Sequence, residues 1–253
     1  VFTNTSTQGI NWSISKLFMY ESCPMRFRLK YIDRLPEPPL PPDNPMERGS
    51  RIHTDLEHYI DGRKDSLDKC EARQLAPLMD SYNAMRELYM AGKVTAEQDW
   101  WFDADWQPCE RSDVWLWAKL DVSIVDEDAP ETVKIGRELF ATNGSVAISG
   151  DHKSGKSQYK TVEHVQQTQL YCAISALKYP QVHLHVAELY YVDEGWVRAA
   201  AYTREEALKF IGRFESRAQK IYTDRVFRPN PNKVTCRFCP YSPRGTGACP
   251  VGV

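Results

Sequence analysis

The stretch that most limits what this chain can become is Ser145-Val146-Ala147-Ile148-Ser149-Gly150-Asp151-His152-Lys153-Ser154-Gly155-Lys156-Ser157. A short apolar run ends in an acid, and a lysine follows one residue later. Such a run reads as a buried strand. Asp151 and Lys153 are two apart, so on a strand both side chains point to one face. A carboxylate beside an ammonium suits metal-assisted hydrolysis. Gly150 to Ser157 also fits a phosphate-binding loop, a glycine followed after four residues by Gly-Lys-Ser. The rest of the chain has to decide between the two.

A length of 253 residues allows one large domain or two small ones, and a hydrophobic fraction of 42% can supply a sizeable core. The formal net charge of -2 argues against a protein that coats nucleic acid non-specifically, while leaving room for a local basic groove. No apolar run approaches the roughly 18 residues of a membrane span, and no secretory signal is visible. The expected location is therefore intracellular and cytoplasmic, with no membrane partner. The 7 cysteines are unevenly placed: Cys236, Cys239 and Cys249 cluster late, Cys23 is early, and Cys70, Cys109 and Cys172 are scattered. A clustered CxxC in a chain of this character reads as metal binding rather than as a disulfide framework.

In chain order, Ser13 to Ile32 reads as a helix interrupted at Cys23-Pro24, where Pro starts a second segment. Leu35 to Pro45 is proline-rich loop. Glu47 to Asp61 is a helix that sets Gly49, His53 and Glu57 on one face. Ser66 to Ala91 has the spacing of a long amphipathic helix kinked at Pro77. Val94 to Ala104 and Asp113 to Val125 read as strands, and Leu120-Asp121-Val122 places an acid inside the second. Asp126 to Gly144 is a charged excursion with room for a short strand. After the Ser145–Asp151 strand come a helix over Thr161–Tyr179 and a hairpin, Val182–Val192 with Trp196–Tyr202, turning at Asp193-Glu194-Gly195. A helix capped by Thr203, with Glu206 completing a capping box, runs to about Asp224. The expected fold is α/β, a central mixed sheet flanked by helices. Residues 1–93 form an N-terminal helical region, 94–226 the core and 227–253 a cysteine-rich tail, all one integrated domain.

Five segments in this order carry a resemblance. Ser13-Ile14-Ser15-Lys16-Leu17 with Cys23-Pro24 and Phe27 opens it. Gly49-Ser50-Arg51-Ile52-His53, Lys119-Leu120-Asp121-Val122, Gly150-Asp151-His152-Lys153 and Gln167-Thr168-Gln169-Leu170-Tyr171 follow. Together they resemble the PD-(D/E)XK nuclease superfamily and specifically its RecB-like branch, with its GxxxH, first acid, (D/E)xK and QxxxY motifs. The resemblance implies a restriction-endonuclease-like core in which His53, Asp121, Asp151 and the His152 carbonyl hold Mg²⁺ or Mn²⁺. Lys153 would serve catalysis, and Gln167 and Tyr171 would order the site or touch DNA. It also implies an exonuclease acting on single-stranded or resected DNA ends in recombination, repair or replication. A recombination or replication protein is a possible partner, and a phage origin would put the chain in the host cytoplasm.

Cys236-Arg237-Phe238-Cys239 with Cys249 supplies three thiolates, and Cys23, also followed by proline, is the natural fourth. Thiolates so spaced suit Zn²⁺ or an iron–sulfur cluster. Similarity to AddB-type and CRISPR-adaptation nucleases, with one cysteine before the core and three after it, favours [4Fe–4S]. Candidate DNA phosphate contacts are Arg48, Arg51, Lys156 and Lys160, with Arg26, Arg28 and Lys30 on the first helix. Two rival functions remain. One is a catalytically silent DNA-binding module of the same fold. The other is a P-loop ATPase using 150–157, which is disfavoured because Asp151 would put a carboxylate where backbone amides must cradle phosphate.

Overall fold

In the computed structural model, which describes residues 9–39, 41 and 44–253, the first helix, α1, spans Ile14–Ser22. The Ser13 hydroxyl caps it, accepting from the Lys16 amide at 3.3 Å. Cys23 is extended (φ −159°), and Pro24, in the first turn where a missing amide costs nothing, starts α2 (Pro24–Phe27). One π turn, Arg28–Ile32, continues it. The proline-rich loop that follows lies partly outside the described residues. Asn44 caps α3 (Pro45–Ile60).

The long helix expected over 66–91 is a single shorter one. Residues 61–75 are irregular, Ala76–Leu78 is a 3₁₀ turn, and α4 is Met79–Met90. Pro77 thus stands at the start of the helical stretch and kinks nothing, because a ring without an amide is tolerated in a first turn and not in an interior. The apolar residues Leu67 and Leu75, whose spacing suggests a helix, pack individually against the core beneath α3 and α4.

The five-stranded sheet has the order β1-β2-β5-β6-β7, with β1 Val94–Phe102, β2 Leu116–Asp126, β5 Val146–Lys153, β6 Leu184–Tyr191 and β7 Trp196–Thr203. Only β5 and β6 are parallel. Their crossover is α5, Thr161–Lys178, as a parallel connection requires. This is the expected mixed sheet flanked by helices. The excursion before β5 holds two short strands, β3 (Thr132–Ile135) and β4 (Glu138–Ala141), forming a separate hairpin. The Thr203–Glu206 capping box is present, but the helix behind it breaks near Lys209 into α6 (Arg204–Leu208) and α7 (Ile211–Thr223). A short α8, Lys233–Arg237, lies in the tail. Among the described residues no helix is long and apolar enough to cross a membrane.

Two main cores sit against the sheet. One joins α1, α2, α5 and α7 to Trp100, Phe102, Leu116, Ala118 and Leu120; the other joins α3 and α4 to Val94, Val122, Ile124 and Tyr190. Along the β1–β2 ribbon, side chains of the same parity change core between Ala96 and Trp100, and between Leu120 and Val122. The ribbon therefore rolls over at its middle, and the site lies at that point.

Candidate active site

β2 is paired with β1 along nearly its whole length, but with β5 only from Val122↔Gly150 to Asp126↔Val146. Beyond Val122 and Gly150 the two strands part, and the next residues are Asp121 and Asp151. The sheet forks, with one carboxylate on each prong. Gly150 permits the tight approach at the fork, since a Cβ there would lie 3.2 Å from the Val122 Cβ. The backbone amide of His152 donates to Asp121 Oδ2 at 2.6 Å and ties the prongs together.

Facing Asp121 across β1–β2 is Glu97, whose neighbours Ala96 and Gln98 pair with Val122 and Leu120. Glu97 has φ +50°, a left-handed conformation that side chains other than glycine adopt rarely. Strain of this kind concentrates at functional sites. It falls where the ribbon changes core, and it places a third carboxylate beside Asp121. Ligand atoms of His53, Glu97 and Asp121 all lie within 4.8 Å of one another. Glu97 is absent from the sequence-based site. Its surroundings, Thr95-Ala96-Glu97-Gln98, contain no motif, and only its register opposite Asp121 could have pointed to it.

Asp151 is held from the other face of the sheet. Its Oδ1 accepts from Gln167 Nε2 at 2.9 Å and from the Tyr171 hydroxyl at 3.0 Å, and Gln167 Nε2 also lies 2.7 Å from that hydroxyl. The four-residue spacing of Gln167 and Tyr171 on α5 is what lets both reach one oxygen. Lys153 Nζ lies 2.6 Å from Asp151 Oδ2, although that oxygen accepts no hydrogen bond of regular geometry. The side chain of His152 turns into the core, Nδ1 lying 3.1 Å from the Tyr82 hydroxyl. The structure thus brings Asp151, Lys153, Gln167 and Tyr171 together, and joins them to His53 and Asp121 through the His152 amide.

His53, from α3, approaches Asp121 Oδ1 with Nδ1 at 3.2 Å. Burial lowers the His53 pKa, but the Asp121 carboxylate more than offsets it and the net shift is upward. Burial likewise raises Asp121, and the contacts from His53 and His152 overcome it and hold the acid below the usual carboxylate range. Glu97 is shifted upward by burial despite an ion pair with Lys119. These are the electrostatics of clustered acids around an imidazole whose protonated form they favour. The donor set, two carboxylates and an imidazole with Asp151 adjacent, suits Mg²⁺ or Mn²⁺, and a cation there would displace the His53 proton.

A cleft of about 860 Å³ opens over His53 and Glu97, lined also by Arg48, Arg73, Lys119, Lys160 and Asp193. Of the expected DNA contacts, Lys160 and Arg48 are on this cleft, Arg48 is engaged by Asp193, and Arg51 is engaged by Glu71. The cations of the first helices are elsewhere. Arg28 is buried against Asp33, Lys30 pairs with Glu37, and Arg26 faces the cysteines.

The phosphate-loop reading is overturned by the same geometry. Gly150 to Lys153 is β-strand, not loop. Of the amides that follow, Gly155 donates to Asp193 at 2.9 Å and Ser157 to Glu194 at 3.1 Å. Loop amides already bonded to carboxylates cannot cradle a phosphate.

In a second pocket that shares no lining residue with the cleft, Cys23, Cys236, Cys239 and Cys249 come together, all with free thiols. Tyr241, wholly buried, packs beside them and bonds through its hydroxyl to the Leu35 carbonyl at 3.1 Å. Neighbouring Cys23 and Cys249 add to burial in raising the Cys239 thiol. Four thiols on one pocket are a soft donor set of the kind that zinc or an iron–sulfur cluster takes, but among the described residues the one metal-type grouping with ligand atoms within 4.8 Å of one another is His53, Glu97 and Asp121. Cys70, Cys109 and Cys172 do not join them.

A family model described as the PD-(D/E)XK nuclease superfamily matches residues 11–244. A solved structure described as "Crystal structure of SSO0001" is similar at 11% identity and a TM-score of 0.36, covering 100% of this chain and 90% of that one. The comparison with curated proteins gives no match.

Proposed function

The chain belongs to the PD-(D/E)XK nuclease superfamily, and from that premise we propose that it is a divalent-metal-dependent DNA exonuclease of the RecB-like branch. In this reading it hydrolyses phosphodiester bonds at single-stranded or resected DNA ends, in recombination, repair or replication, and is phage-encoded. The observation that carries the catalytic part is the forked sheet: His53, Glu97 and Asp121 within one ligand radius, tied through one amide to the Asp151–Lys153 pair. His53, Glu97, Asp121 and Asp151 would hold Mg²⁺ or Mn²⁺. A cation there supplies polarisation of the phosphoryl oxygen and a more acidic water. Lys153 orients that water and stabilises charge developing on the phosphate. Gln167 and Tyr171 fix the rotamer of Asp151, and Lys160 and Lys156 meet DNA phosphates.

The four thiols are assigned to a [4Fe–4S] cluster, with zinc the alternative, that fastens the tail to the α1–α2 junction. The chain is read as one integrated domain, supported by the core that α1, α2, α5 and α7 share. The absorption spectrum of anaerobically purified protein tests the cluster. A colourless, zinc-containing protein would rule it out.

The decisive experiment digests end-labelled single-stranded, duplex and circular DNA with Mg²⁺ or Mn²⁺, with Asp151→Ala as control. Linear DNA should be degraded from its ends and circular DNA spared, with no cleavage by the variant. Cutting of circles would make the protein an endonuclease. Binding without cleavage would support the silent DNA-binding module, against which the intact Asp151–Lys153 pair stands.

A further inference from the structure

The turn between β6 and β7 contains a carboxylate that the catalytic assignment does not use. The side chain of Asp193 is only 4% exposed and takes four hydrogen bonds, two on each oxygen. Arg48 grips it with both terminal nitrogens, Nη1 to Oδ2 at 2.8 Å and Nη2 to Oδ1 at 2.7 Å. The backbone amide of Arg73 donates to Oδ1 at 3.0 Å and that of Gly155 to Oδ2 at 2.9 Å. The donors come from three separate segments: α3, the irregular connection before α4, and the loop leaving β5.

Two of these segments carry the chemistry. Arg48 lies five residues before His53 on α3, and Gly155 lies two residues after Lys153. A second contact joins the same pair of segments: a Cβ on Gly49 would lie 3.0 Å from Ser154 Oγ. The turn is itself anchored at the end of β5, because the Val192 amide donates to the Lys153 carbonyl at 3.1 Å. Bidentate arginine–carboxylate pairs fix direction as well as distance, and several donors on one acid leave it little freedom to rotate.

Resting on the nuclease reading, we infer that Asp193 is a positioning residue that sets the distance between His53 on α3 and the Asp151–Lys153 pair on β5. It also makes Arg48 part of the scaffold, so that Arg48 is not a DNA phosphate contact. Burial opposes the Asp193 charge, yet the Arg48, Arg73 and Gly155 bonds hold its pKa down at about 2, so it is fully ionised wherever the enzyme works.

The test uses Asp193→Asn, Arg48→Lys and the double variant in the full-length protein. Arg48→Lys keeps the positive charge and loses the two-pronged grip. Partners that orient metal ligands typically cost about 10–100-fold in activity or metal affinity when removed. Each single variant should therefore lower kcat for end-labelled DNA by about that factor, with KM and its salt dependence within about twofold of wild type. The double variant should be no worse than the more severe single one, because both remove the same clamp. Thermal melting identifies a variant that fails to fold, and Arg48→Lys then carries the test. Unchanged kcat would overturn the proposal. So would a raised KM with a weaker salt dependence and normal kcat, which is the mark of a lost phosphate contact. If the wild type does not cleave DNA, the nuclease reading fails on its own. The clamp is then judged by Mn²⁺ binding, which should weaken by about the same factor in Asp193→Asn and which, if unaltered, refutes it.

Discussion

Asp151 is held at both of its carboxylate oxygens. Gln167 and Tyr171 occupy Oδ1, and the Lys153 ammonium faces Oδ2. Lys153→Met should lose about 10²–10³-fold in cleavage rate, the usual effect of removing one charge-stabilising contact. It should leave Mn²⁺ binding by isothermal titration close to wild type, since Lys153 is no ligand. Glu97→Gln should behave in the opposite sense. It retains shape and Lys153, but requires about tenfold or more Mn²⁺ to reach half-maximal rate. A Glu97→Gln enzyme with an unchanged metal requirement would remove Glu97 from the ligand set. The contrast between these two residues also shows what a sequence reveals. Asp151 and Lys153 are legible because their spacing on one strand gives them one face. Glu97 gains its role from cross-strand register and a left-handed backbone, neither of which leaves a local signal.

Among the elements, those with strong periodicity or caps stand where sequence reasoning puts them. The strand ending in Asp151-His152-Lys153, the helix of Gln167 and Tyr171, the Asp193–Gly195 turn and the Thr203–Glu206 box are examples. The helix expected over Ser66–Ala91 is present only as its second half, Met79–Met90; in the first half Leu67 and Leu75 dock one by one on a core and only imitate a helical stripe. The cysteine tail is tied to the rest by the buried Tyr241, which packs with Met25 and Leu29, and by its own backbone turns. Gly245 is its tightest point. A Cβ there would sit 2.0 Å from the Pro240 carbonyl oxygen and 2.7 Å from its carbon, and backbone cannot yield as a side-chain tip can. Gly245→Ala should therefore open the Cys239–Cys249 segment. The expected signs are loss of any bound iron or zinc and faster proteolysis of the tail, with the forked sheet intact by far-UV circular dichroism. Full metal content in that variant would show that the thiol pocket tolerates rearrangement.

At the scale of the whole molecule, stability is tied to pH by histidines kept neutral inside it. Burial lowers the pKa of His152, His164 and His185 to about 4 in each case, from an ordinary value of 6.5. Their partners at Nδ1 are uncharged hydroxyls: Tyr82 for His152, Tyr191 for His164 and Ser175 for His185. Unfolding lets each of them take up a proton below 6.5, so the unfolded chain binds more protons than the folded one. Stability is therefore lost as pH falls from 6.5 to about 4. His53 acts in the other direction. Its pKa is raised beside Asp121, so its contribution is present at low pH and disappears as pH rises through its folded value. Glu97 and Glu188, whose pKa burial raises, act with His53, but the three histidines carry the larger shifts, to about 4, so a net loss on acidification is expected, and saturating Mn²⁺, by competing with His53 protonation, should steepen it. Calorimetric melting between pH 7.5 and 4.5 should show a falling Tm, and His185→Gln should make the fall shallower by removing one of the protons taken up. His185 suits this test because its bonds, to Ser175 and to the Val182 carbonyl, lie in the core away from the cleft. A Tm independent of pH over that range would mean that these histidines reach solvent in the folded protein.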